Sequence, residues 1–231
     1  MKQKSSSIVI AHSPFRSERK GADRTIRNAS TFDREYFEEE NYVYSRWYLD
    51  QAKKVIPRIL KEAKPANDWV FLDIGCALGG MVKILRERGF AAYGVDLSQY
   101  CIRTSPMKQY LRFGSVTDLP CADESVDVAL CFDTFQYLTK AEAKKAAKEL
   151  RRITRRLLFF ECITKEDADF SDPTQNPDTA RKNRSLFSRE EYIALFTSAG
   201  FRLKKLRFLP RSIPGKPYPH EFSFNAIFEV V

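Results

Sequence analysis

Between Trp69 and Ile163 short apolar runs alternate with stretches whose apolar residues recur at helical spacing, and this alternation restricts the fold more than any other feature. WVFLDI (69–74), AAYGVD (91–96), YLRFG (110–114), VDVALCF (126–132) and RLLFFECI (156–163) read as strands. GGMVKILRERGF (79–90), a short segment from Ser98 and KAEAKKAAKELRRI (140–153) read as helices. Strand and helix at this spacing require right-handed crossovers, hence an α/β fold with a mostly parallel sheet and helices on both faces.

Elements on either side extend the core. Trp47, Ala52, Val55, Ile56, Ile59 and Leu60 mark one apolar helix face, which Pro57 is expected to bend or interrupt. Ser188 and Glu191 form a capping box, and Gly200 a helix stop. FRLKKLRFLP (201–210) and FSFNAIFEVV (222–231) read as two strands on a short connection, which must pair antiparallel. Residues 164–187 show no period and are longer than a connection needs, as functional or disordered loops are.

The segment VFLDIGCALGG (70–80) raises the question of ligand. Gly75, Ala77 and Gly80 satisfy a loosened G-x-G-x-x-G, and Asp96, 21 residues after Gly75, ends the second strand. In a dinucleotide site Asp73 would face a pyrophosphate and repel it. Beside a cation the same carboxylate attracts, by several kcal/mol at low effective dielectric. S-adenosylmethionine carries a sulfonium and an ammonium and no phosphate, so the loop prefers it.

LDIGCALGG, YGVDLS and GSVTDLPCADESVDVALCFDTFQYL, in that order, resemble the class I S-adenosylmethionine-dependent methyltransferases of the type 11 kind. The resemblance covers residues 69–163 as core and extends through the end hairpin. It implies a Rossmann-like seven-stranded sheet, with S-adenosylmethionine as cofactor, S-adenosylhomocysteine as product and no metal. Three parts are expected: a flexible basic leader (1–31), an N-terminal helical lid (32–66) and the cofactor-binding domain (67–231). Carried over, Asp73 and Gly75 would lie by the methionine end and Gly79 beside the ribose, with Cys76 and Ala77 also binding the cofactor. Asp96 would accept both ribose hydroxyls, Leu97 would pack on the adenine, and Ser115 and Val116 would read its edge. Phe132, Asp133 and Gln136 would stand where the fourth strand opens toward the sulfonium. Two positions depart from the family pattern. Ala77 replaces the middle glycine, tolerable if its φ stays negative. Ser115 replaces an acid and is a weaker acceptor.

Methyl transfer from a sulfonium needs alignment and exclusion of water, and a base only where the nucleophile still holds its proton. Three candidates for that chemistry stand out. His220 is a general base or a surface-loop histidine; Tyr137 orients an acceptor or packs the core; Glu161 binds an acceptor or neutralises Arg155 or Arg156. Tyr36 and Tyr42 belong to an aromatic run suited to shield a sulfonium by cation–π attraction. Gln175, in DPTQ, stands where relatives often carry histidine.

Net charge is +9, but residues 1–30 hold seven Lys/Arg against two Asp/Glu, so a net +5 belongs to the leader. The arm is either solvated or closes over an acidic partner. Five scattered cysteines without a C-x-x-C pair argue for reduced thiols in a cytoplasmic protein, with neither disulfides nor zinc. IVIA (8–11) is too short for a signal-peptide core, and no apolar run approaches the roughly 18 residues of a membrane span. The expected function is methylation of oxygen or nitrogen on a small-molecule acceptor, by a monomer or homodimer. The alternatives are an RNA or peptide/protein methyltransferase, motivated by the leader and by Arg181, Lys182, Arg184, Lys204, Lys205, Arg207 and Arg211, and a non-catalytic S-adenosylmethionine-binding module.

Overall fold

A computed structural model describes residues 13–16, 32–38, 44–166, 185–209 and 224–231, with the backbone alone for 44–48. The elements in chain order are α1 (Arg34–Glu38), α2 (Tyr44–Ala63), β1 (Val70–Ile74), α3 (Gly80–Glu87), β2 (Ala91–Asp96), α4 (Gln99–Thr104), β3 (Leu111–Phe113), β4 (Val126–Phe132), α5 (Lys140–Ile153), β5 (Thr154–Cys162), α6 (Arg189–Ser198), β6 (Phe201–Leu206) and β7 (Phe224–Val230). One seven-stranded sheet runs β3-β2-β1-β4-β5-β7-β6. β1 to β5 are parallel, and β7 lies antiparallel between β5 and β6. This is the Rossmann-like arrangement expected, with its antiparallel end hairpin.

Strands buried on both faces read as continuous apolar runs because each pleat meets a helix layer. Phe71, Val128, Leu130, Phe159 and Ile227 face Ile56 and Ile59 of α2 and Val82 and Leu85 of α3. Leu72, Ile74, Ala129, Cys131, Leu158 and Phe160 face α5 and α6. Ala143, Ala146, Ala147 and Leu150 line the inner side of α5 at helical spacing, and their small side chains let it sit close to the sheet. Two capping boxes hold the starts of α5 and α6, at Thr139/Glu142 and at Ser188/Glu191.

Of the two outcomes expected at Pro57, interruption does not occur: α2 runs unbroken through it. Pro57 and Lys53 are both exposed, so the carbonyl left without its helical donor faces water. The leader also departs in part from expectation, since residues 13–16 lie docked on the domain. Phe15 bridges Cys121, Arg16 N–H donates to Pro120 O, and the Arg16 guanidinium meets Asp123. Phe15 itself sits edge-on to Tyr93, under the Arg112 guanidinium.

At the amino ends of the strands Asp127 is buried and accepts from Val70 N–H, Arg155 and Arg156. Removing it leaves a buried strand N–H without its acceptor. Asp127→Ala is expected to cost about 2 kcal/mol in urea unfolding, discounted because both arginines reach solvent. A loss below about 0.5 kcal/mol would show that water replaces the carboxylate.

Candidate functional site

Where β1 and β2 end side by side, the chain leaves β1 through a loop hooked onto its neighbour. Gly75 and Cys76 N–H both donate to Val95 O, and Gly79 N–H donates to Cys76 O. Gly75 is exposed at φ +78°, and a Cβ there would meet Thr134 Oγ1 at 2.3 Å. Thr134, unremarked in the sequence, donates its hydroxyl to Ile74 O and Phe132 O and so ties the β1 and β4 exits together.

Ala77 corrects the expectation of negative φ: it stands at +45°. A left-handed alanine is strained by about 1–2 kcal/mol. Two contacts offset that strain. Its N–H donates to Asp96 Oδ2 at 2.7 Å, and its methyl packs in a cluster with Phe37 and Cys101. Asp133, at the β4 exit, is also left-handed at φ +47°. Backbone strain of this kind concentrates where a loop must present itself to a ligand.

Two carboxylates meet at this point. Asp96 Oδ1 accepts from Ser98 N–H at 2.7 Å while Oδ2 accepts from Ala77, which leaves further lone-pair capacity on both oxygens. Burial pushes the Asp96 carboxyl up, and the backbone N–H donors oppose it. Asp73, 6 % exposed, is pushed up to about 7 by burial first and by Asp96 second. For an acid raised in this way the folded protein binds the proton more tightly. The stability it contributes is fully present below the unfolded carboxyl range and is lost as pH rises through about 7. The site therefore favours a positive charge brought in beside Asp73.

The residues expected at an adenine and those at the β4 exit divide. Leu97 is half-buried after β2. Ser115 Oγ is engaged with Thr117, and Val116 is buried. Phe132 is half-buried and packs against Phe208. Gln136 turns its carboxamide oxygen down to Cys162 Sγ at 3.0 Å. Glu161, 2 % exposed, ends β5 opposite Phe132 on β4 and Asn225 on β7. It does not neutralise Arg155 or Arg156, which pair with Asp127 at the far end of the strand.

The segment ahead of α2 closes over the loop. Phe32, Tyr36 and Phe37 pack on Ala77, Leu78, Tyr100 and Cys101. The Tyr36 and Tyr137 hydroxyls stand 3.3 Å apart, and Phe32 lies edge-on to Tyr137 with ring centroids 5.1 Å apart. Glu38 accepts from the Tyr100 hydroxyl, which fastens the end of α1 to α4, and from Arg34 within α1 itself. The sequence marked Tyr36 and Tyr137 separately, but nothing in it paired them or pointed to Tyr100. Tyr42, Gln175 and His220 lie outside the described residues, so the site described is built without them. All five cysteines are free and buried, and burial raises their thiols, Cys121 to about 12. Among the described residues no cluster of His, Cys, Asp and Glu is placed to hold a metal ion, and no helix is long and apolar enough to cross a membrane.

Residues 72–157 match the family model described as "Methyltransferase domain". An uncharacterised protein of Methanocaldococcus jannaschii, MJ1252, is 30% identical over 124 residues, covering 52% of this chain and 46% of that protein. The chain thus spans about half the length of the curated relative it matches. Among solved structures, the PH0226 protein of Pyrococcus horikoshii OT3 superposes with a TM-score of 0.62 at 16% identity, covering 85% of this chain and 95% of that one. Magnesium protoporphyrin IX methyltransferase of Synechocystis PCC 6803, with bound S-adenosylhomocysteine, gives 0.61 at 13% identity, covering 85% and 91%. At these identities the likeness establishes the fold.

Proposed function

We propose that the chain, whose residues 72–157 match a methyltransferase-domain family model, is a class I S-adenosylmethionine-dependent methyltransferase that methylates an oxygen or nitrogen of a small molecule enclosed at the carboxyl ends of the strands. The observation that carries this reading is the fastened aromatic segment over the glycine loop, with Tyr36 against Tyr137. A small acceptor fits beneath such a cover, whereas a macromolecule has to displace it.

The residues present fit the cofactor. Gly75 is exposed at the β1 exit, where Thr134 leaves no room for a side chain, and two buried carboxylates stand beside it. Asp73 would hold the cationic end, and Asp96 the ribose hydroxyls. Leu97 would cover the adenine. When bound, the cofactor supplies an activated methyl group on a positively charged sulfur. The chain's part is to align the acceptor and keep water out. The Tyr36–Tyr137 pair and Phe32 would exclude solvent, and Tyr137 and Glu161 would orient the acceptor's polar groups. The magnesium protoporphyrin enzyme acts on a small molecule with the same fold, which supports the reading. Two of the cations that would favour RNA, Lys204 and Lys205, are matched by acids. Arg202 and Lys204 pair with Glu229, and Lys205 with Glu62.

The Asp73 carboxyl makes a direct prediction. Below about pH 7 a proton competes with the cofactor's cation for this group. Affinity for S-adenosylmethionine is expected to fall by roughly tenfold per pH unit between pH 7 and 5. Asp73→Asn is expected to bind weakly and to flatten that slope. Calorimetry across this range decides it, and an affinity indifferent to pH removes Asp73 from the site. The acceptor class is tested by incubating the protein with methyl-labelled cofactor and lysate. Label is expected in the small-molecule fraction, and label confined to RNA or protein overturns the proposal.

A further inference from the structure

Gln51 lies on the inner side of α2 beside Ala52, Val55 and Ile56, all buried. It is 6 % exposed, and neither its carbonyl oxygen nor its amide nitrogen has a hydrogen-bond partner among the described residues. A buried carboxamide without partners destabilises a fold, and the neighbouring positions show that apolar side chains are accommodated there. Nothing in the packing among the described residues requires the polar group, and a bound ligand is a physical account of it.

Its place in the fold says where that partner binds. α2 runs toward the start of β1, so its earlier residues lie toward the strands' carboxyl ends. At the usual helical rise Gln51 stands about 18 Å above Ala63, whereas β1 climbs about 13 Å from Val70 to Ile74. Gln51 therefore lies toward the strand ends from which the loops of the site leave. α2 packs along α3 on one side and reaches β6 on the other through Glu62 and Lys205. It thus overlies the sheet between them, on the face that carries Asp73, Phe132, Glu161 and Asn225. Asn225 does not use Gln51, since its carboxamide oxygen accepts from Leu209 N–H.

We infer that Gln51 is a specificity-determining residue, and that the acceptor carries a planar amide-like edge, a donor N–H beside a C=O or ring nitrogen, which pairs with its carboxamide. This deepens the reading of the strand ends as an acceptor pocket and rests on it. A carboxamide offers one donor and one acceptor side by side, which matches such an edge with two hydrogen bonds. The rings of Phe32, Tyr36 and Tyr137 at the same end suit a flat molecule. An analogue lacking the edge leaves Gln51 buried and unpaired, and that penalty is the source of discrimination.

The test compares the wild-type protein with Gln51→Leu in three measurements. S-adenosylhomocysteine affinity by calorimetry is expected to agree within about twofold, because the cofactor loop is untouched. The melting temperature without ligand is expected to rise by about 2–4 °C on removal of an unsatisfied buried amide. Turnover is read as S-adenosylhomocysteine formed from aromatic carboxamides and lactams and from their counterparts in which the amide N–H is alkylated or replaced by carbon. Wild type is expected to favour the amides in kcat/KM by at least about tenfold, and Gln51→Leu to lose that preference. A lowered melting temperature, an unchanged preference, or no turnover of any amide by a protein that binds S-adenosylhomocysteine overturns the inference alone. Failure of the wild type to bind S-adenosylhomocysteine overturns the methyl-transfer reading beneath it.

Discussion

Asp96→Ala is expected to weaken S-adenosylmethionine binding more than about 100-fold while the sheet remains folded. The carboxylate at the end of β2 accepts two backbone N–H groups at 2.7 Å, from Ala77 and Ser98. Its remaining lone pairs would be the acceptors for a ribose diol. Two hydrogen bonds to a charged group amount to about 3 kcal/mol or more, which is the factor stated. A second effect acts in the same direction. Ala77 is held at positive φ partly by its bond to Asp96, so the loop loses its tether as well. Stability changes less than affinity, because burial of this acid already opposes its charged form. Calorimetry with the cofactor and a thermal melt without it separate the two effects. Affinity within threefold of wild type would falsify the placement of the ribose.

Gly94→Val is expected to be the most destabilising of the single changes considered, by about 3 kcal/mol or more. Gly94 lies inside β2, level with Asp73 on β1 and Leu111 on β3. A Cβ added there would come within 2.6 Å of Cys76 Sγ, 2.7 Å of Leu111 Cδ2 and 2.9 Å of Cys76 Cβ. The leucine methyl can rotate away, but Cys76 Cβ is carried by the glycine loop and moves only if the loop moves. Overpacking of this kind costs about 1–3 kcal/mol, and a β-branched side chain adds further bulk. The same displacement spoils the cofactor loop. Cys76→Ala removes the sulfur from the clash and is expected to restore part of the loss in the double variant. Urea unfolding of the two single variants and the double variant gives the coupling directly. Simple additivity would show that Cys76 is not what the glycine accommodates.

Much of this arrangement was legible in the residues. The strand runs at 91–96 and 126–132 and the helix at 140–153 form as expected. There the apolar period, the breaks around it and the buried pattern all point to the same element. Pro57 does not break α2, because a proline is harmful inside a helix mainly when the freed carbonyl is buried, and exposure is not written in local sequence. Ala77 was misread for a similar reason. A small side chain normally avoids positive φ, yet a bond from Asp96 and a contact from Phe37 hold it there. Glu161 could be assigned to the site or to Arg155 and Arg156 with equal force, until the strand separated its two ends and Asp127 claimed the arginines.

The order of residues alone determined the parallel sheet, the glycine loop after its first strand and the acids at 73 and 96, since these follow from periodicity, turn chemistry and the sign of charge within short stretches. Only the tertiary structure decided that Tyr36 meets Tyr137 across a hundred residues, that Thr134 joins two strand exits, and that Gln51 is enclosed without a partner among the described residues. The reason is physical. Hydrogen bonding and burial between distant segments depend on how the whole chain closes, and the residues in any one segment carry no record of what will be brought against them.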